Sequence, residues 1–68
     1  MSAVNQLQVT ERRRYLQHRV RVALGIVEVY ESNIERHGTT PQVEQLYAGV
    51  QAELAYWKSE LETFLSSL

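Results

Sequence analysis

From Val43 to the end of the chain, apolar residues return at alternating intervals of four and three: Val43, Tyr47, Val50, Leu54, Trp57, Leu61, Phe64 and Leu68. That alternation is the heptad seam of two α-helices packed side by side. The first half obeys the same rule through Val9, Leu16, Val20, Ala23, Val27, Tyr30 and Ile34, with Arg13 as the one interruption. No alternating strand pattern competes with this period, and there are no repeats or low-complexity stretches. The pattern predicts an all-α chain, one domain spanning residues 1–68.

Between the two runs stands Arg36-His37-Gly38-Thr39-Thr40-Pro41. Basic side chains in a last helical turn complement the negative end of the helix dipole. Gly38 is free to take the left-handed conformation that ends a helix. Thr40 then caps a second helix, with Pro41 at its first position, where a missing N–H loses nothing. Helix 1 has two candidate starts: Asn5, which forms a capping box with Gln8 and a staple from Val4 to Val9, and Thr10 followed by Glu11. The expectation is a helix from about 5 or 10 to 37, with residues 1–5 frayed, and a second from about 41 to 67.

Folding the chain at Gly38 pairs Ile34 with Val43, Tyr30 with Tyr47, Val27 with Val50, Ala23 with Leu54, Val20 with Trp57 and Leu16 with Leu61. Arg13 falls beside Phe64, where its stem can cover the ring. The result is an antiparallel two-helix hairpin with coiled-coil packing, its helices roughly 40–45 Å long at 1.5 Å per residue.

One seam leaves apolar residues unexplained. Helix 1 carries a second stripe at Tyr15, Val22, Ile26 and Val29, about 100° around the helix from the first. Helix 2 adds Leu46 and Tyr56 at flanking positions, with Gly49 between them. Gly25 and Gly49 each cost on the order of 1 kcal/mol relative to alanine in mid-helix, and close helix–helix approach is the usual compensation. An isolated hairpin has nothing to cover a second stripe, so Tyr15, Val22, Gly25, Ile26, Val29, Leu46, Gly49 and Tyr56 are expected to form an interface. The simplest assembly is a homodimer of hairpins, a four-helix bundle. The alternative is another protein whose groove takes helix 1.

Composition narrows the choice. A chain of 68 residues buries too little surface to be amply stable alone, and with no cysteine it has neither disulfides nor thiolate metal sites to help. Hydrophobic content of 44% argues against disorder. There is no apolar run long enough for a membrane span, and the first residues lack the charged and apolar regions of a secretion signal. A cytoplasmic protein without a membrane role is expected. The net charge of −1 hides a lopsided distribution. Residues 12–21 hold five arginines and no acid, whereas residues 22–68 hold Arg36 and Lys58 against seven glutamates.

Candidate chemistry is sparse. Arg12, Arg13, Arg14, His18, Arg19 and Arg21, with Tyr15 among them, have the composition of a phosphate-binding patch, which would make the chain a nucleic-acid accessory protein. On a helix, however, these side chains point all round, and the hairpin brings Arg14 near Glu62 and Arg19 near Glu60, where they neutralise helix 2. A chain of this net charge also lacks the positive field of a nucleic-acid binder. Glu28, Glu31 and Glu35 form an acidic run, but no Glu-x-x-His pattern accompanies it, and a solvated face is the reading adopted. Neither His18 nor His37 has a serine or acid at triad spacing, and there is no glycine-rich phosphate loop. No enzyme, cofactor or metal is expected.

In length, in hairpin plan and in the Gly38–Pro41 turn, the chain resembles the small helical co-chaperones that hold type III secretion needle subunits. The likeness covers the architecture and that one turn. It implies a hairpin that masks a partner's apolar surface. The sequence therefore predicts a small interaction protein that self-associates and acts as adaptor, regulator or co-chaperone.

Overall fold

A computed structural model describes the backbone from Ala3 to Leu68 and the side chains from Gln6 onward. Two helices, α1 (Ala3–His37) and α2 (Pro41–Ser66), pack antiparallel as a hairpin measuring 53 × 16 × 14 Å. The turn between them is three residues long, Gly38 to Thr40. Gly38 sits at φ 77° and donates its N–H to the Ile34 carbonyl at 2.8 Å, the left-handed helix stop. Thr40 is extended, and its hydroxyl oxygen accepts the Val43 N–H at 3.2 Å. Pro41 opens α2, and Glu44 completes the first turn by donating its N–H to the Thr40 carbonyl at 2.9 Å.

The far ends depart slightly from expectation. Helix α1 is already formed at Ala3, so neither Asn5 nor Thr10 caps it. Thr10 instead lies inside the helix and donates its hydroxyl to the Gln6 carbonyl, one turn back, at 3.0 Å. A threonine hydroxyl bonded to the carbonyl one turn earlier is accommodated in a helix interior at a slight cost in helix stability. The fraying expected over residues 1–5 and the Val4–Val9 staple fall outside the described side chains. Helix α2 stops at Ser66, and the Ser67 hydroxyl donates to the Phe64 carbonyl at 2.7 Å.

The seam is the core. Leu16, Ala23 and Val27 are buried, Leu16 to 1% exposure, and every other seam residue from Val9 to Phe64 except Arg13 is half-buried. Outside the seam, among the described side chains, only Thr10, Arg19 and Glu60 share that half-buried state. Tyr30 and Tyr47 stack across it with ring centroids 6.5 Å apart and planes 16° from parallel. Their polar tips need a way out of the apolar contact, and Tyr47 finds one by donating its hydroxyl to Glu31 Oε2 at 3.0 Å. Partial burial first, then that hydrogen bond and the carboxylate charge, hold the Tyr47 phenol above its ordinary value.

Two seam expectations fail. Leu68 is 63% exposed because α2 has ended before it. Arg13 is exposed rather than laid over Phe64; the arginine–aromatic contacts are made by two other arginines, described below.

The turn supplies the test of this architecture. Gly38→Ala is expected to cost about 1 kcal/mol, because only glycine is unstrained at that φ. Thr40→Ala should cost about the same through loss of the cap. Urea denaturation at fixed protein concentration reads both, and a change in either well under 0.3 kcal/mol would show that the turn does not set the hairpin.

Candidate functional site

Helix α1 presents its outer stripe to solvent. Tyr15 is 47% exposed and Val29 66%, and Val22 and Ile26 between them are also exposed. On α2, Leu46 and Tyr56 are each at least half exposed. These six large apolar side chains are the ones the sequence assigns to an interface, and the hairpin leaves all of them uncovered.

The two sets lie on one broad side of the hairpin. Trp57 joins them: its ring meets Tyr15 edge-on at 6.0 Å and Tyr56 edge-on at 4.9 Å. Glu53 lies one turn before Trp57 and seven residues after Leu46, so it shares their side of α2. Arg19 crosses from α1 to bond Glu53, Nη2 to Oε1, at 3.5 Å. Nearer the turn, Val29 and Asn33 line a shallow depression together with Tyr30 and Val43. A mainly apolar face thus runs from Tyr15 at the open end to Val29 near the turn, crossed by the Arg19–Glu53 pair. Trp57, half-buried, belongs to both the seam and this face; the sequence reading placed it in the seam alone. The adjacent Tyr56-Trp57 pair was the available signal, since neighbouring residues on a helix diverge by about 100°.

Gly25 and Gly49 are not sites of close approach within the hairpin. A methyl group placed on either would meet nothing within 4 Å. The compensation expected for two mid-helix glycines is therefore absent from the α1–α2 contact, and both backbones stand open to an incoming surface. Leu24 and Leu65 are exposed too, but singly and on the other side, which is ordinary for a protein surface.

Arginines border the open end of the face. Arg19 lies over the Trp57 ring at 4.6 Å, and Arg12 over Tyr15 at 5.4 Å. Both distances fall inside the range of cation–π attraction. Arg19 was expected against Glu60; the Trp57 ring instead directs its guanidinium toward Glu53. Arg13, Arg14, His18 and Arg21 are exposed, and the ion pair expected between Arg14 and Glu62 is not formed. Arg19–Glu53 is the ion pair present among the described residues. The basic cluster divides accordingly: two members pack on aromatic rings, and four project into solvent around the helix.

Of the acidic run, Glu31 accepts from Tyr47, while Glu28 and Glu35 are exposed. Among the described residues, no group of three or more histidines and carboxylates converges as a metal site would require. No helix is long and apolar enough to cross a membrane.

Arg19 is the arginine whose removal should register. Its ion pair is exposed and worth at most about 1 kcal/mol, and its cation–π contact adds about 0.5–1 kcal/mol. Arg19→Ala is expected to destabilise by about 1 kcal/mol and to shift Trp57 fluorescence. Arg14→Ala should leave both unchanged, and equal effects from the two substitutions would dissolve the distinction drawn here.

No family model matches this chain, and neither the curated proteins nor the solved structures yield a match.

Proposed function

We propose that this chain is a small non-enzymatic interaction protein that self-associates through its second apolar face, two hairpins forming a four-helix bundle. In that form it serves as adaptor, regulator or co-chaperone. The observation that carries the reading is the mismatch between what the hairpin buries and what it leaves out. Among the described side chains three are buried, while Tyr15, Val22, Ile26, Val29, Leu46 and Tyr56 stand exposed on one side.

The areas point the same way. The hairpin exposes 5399 Å², whereas a compact monomer of its 7.9 kDa exposes about 4,400 Å². The excess of about 1,000 Å² is close to the roughly 800 Å² per partner that a standard protein interface removes. Its radius of gyration, 16.0 Å, is likewise well above the roughly 11 Å of a compact chain this long. Packing a second hairpin on the exposed face removes much of the excess area, and open glycines at 25 and 49 allow the helices to approach closely.

Size-exclusion chromatography with light scattering tests the assembly, and a dimer at micromolar concentration is expected. Ile26→Glu places a charge on the outer face and should give a helical monomer. Leu54→Glu places it in the seam and should unfold the hairpin. A wild-type chain that stays a folded monomer would sink the proposal, as would an Ile26→Glu variant still dimeric.

A second reading draws on the four solvent-facing members of the basic cluster. Arg13, Arg14, His18 and Arg21, with Arg12 poised on Tyr15, have the chemistry for backbone phosphates and base stacking. Binding of single-stranded RNA or DNA that weakens with salt and vanishes in the Arg12→Ala, Arg13→Ala, Arg14→Ala triple variant would favour it. Absence of binding at low salt would end it.

A further inference from the structure

Arg14, Arg21, Glu28 and Glu35 follow one another at steps of seven residues, a spacing that puts their side chains on one line of α1. Arg14, Arg21 and Glu28 directly precede Tyr15, Val22 and Val29 of the apolar stripe. A step of about 100° carries them over the hairpin's outer edge to the opposite broad side. Helix α2 continues that side with Glu44, Gln51 and Lys58, also seven apart and in line with Leu65. The six charged groups among these are exposed. None takes part in Arg19–Glu53, the ion pair present among the described residues.

This side is polarised along its length. Toward the open end it carries Arg14, Arg21 and Lys58, with Glu62 beside them; toward the turn it carries Glu28, Glu31, Glu35 and Glu44. The α1 line changes sign midway between Arg21 and Glu28, at Leu24–Gly25. The α2 line changes sign midway between Glu44 and Lys58, at Gln51. The Tyr30–Tyr47 stack sets the register of the helices and brings Leu24–Gly25 level with Ala52–Glu53. Both changes of sign therefore fall at one height to within about 3 Å, at 1.5 Å per residue.

We infer that this polarised side is a separate contact surface for another copy of the chain, one that does not involve the apolar face. Its charges are self-complementary. A two-fold axis lying in the plane of contact at the change of sign sets α1 antiparallel on α1 and α2 antiparallel on α2. Arg14 then meets Glu35, Arg21 meets Glu28 and Lys58 meets Glu44, each pair occurring twice, as an isologous interface requires. His18 falls opposite Glu31, and Leu24, exposed at the axis, meets its own copy. Placing like ends together would instead set Glu31 and Glu35 against Glu44 and Arg21 beside Lys58, with Arg14–Glu62 the one favourable match. Exposed ion pairs are weak and screened by salt, so this contact belongs to low ionic strength, and its charges govern orientation more than affinity. It stands whether or not the apolar face also pairs. Hairpins joined through that face keep the polarised side outward, and the two contacts together build an open-ended stack.

Light scattering of the full chain at about 10 mM and about 150 mM ionic strength tests the contact, because the Debye length falls from about 30 Å to about 8 Å between them. The mass is expected to be higher at the lower salt. Arg14→Glu with Arg21→Glu should abolish that rise, and so should Glu28→Arg with Glu35→Arg. Combining all four reverses the line but keeps it self-complementary, so the rise should return; mixing the two double variants in equal amounts should also restore it. A mass independent of salt, a rise that survives either double variant, or no recovery in either the quadruple variant or the mixture would overturn the inference. The high-salt mass reads the apolar face separately. A monomer there that associates only at low salt would overturn self-association through the apolar face and support this contact. A dimer unchanged between the two salts would do the reverse.

Discussion

A pair of helices can bury only the stripe that each presents to the other. In this chain that stripe holds three buried residues and a border of half-buried ones. The close packing of Leu16, Ala23 and Val27 sets where the helices touch. The stack of Tyr30 on Tyr47 and the short Gly38–Pro41 turn hold the register from the other end. Everything else in the molecule, from the exposed apolar face to the separation of charge, follows from how little a single seam covers.

The limit is one of geometry rather than composition. At 44% hydrophobic residues the chain is as apolar as an ordinary globular domain, but a 53 Å hairpin has a large surface for its volume. Apolar side chains that would fill the core of a rounder protein therefore stand in solvent. A partner surface is the physical remedy left to a chain with no disulfides, and the proposed bundle supplies it by doubling the number of layers.

Trp57 shows how the seam and the outer face communicate. Its ring packs between the helices on one side and meets Tyr15, Tyr56 and Arg19 on the other. The arginines over these rings do two things at once: they extend the apolar contact with their stems and ring-facing guanidinium planes, and they mark the open end with positive charge. That end is where α2 supplies too few carboxylates to balance them.

The fold was legible in the residues because its signals are local or periodic. The Gly38 stop, the Thr40 cap and the seven-residue seam each depend on backbone geometry that neighbouring residues impose, so the hairpin and nearly all of its core could be read along the chain. The outer stripe was legible for the same reason. Its side chains fall at helical spacing, and a second stripe cannot face the same neighbour. Other features belong to the tertiary structure alone. Arg19 reaches Glu53 rather than Glu60 because the Trp57 ring takes the guanidinium first. Thr10 turns inward to Gln6 because the helix extends past it. The first depends on which way one side chain is turned relative to a ring distant in sequence and the second on how far the helix extends, and periodicity carries no information about either.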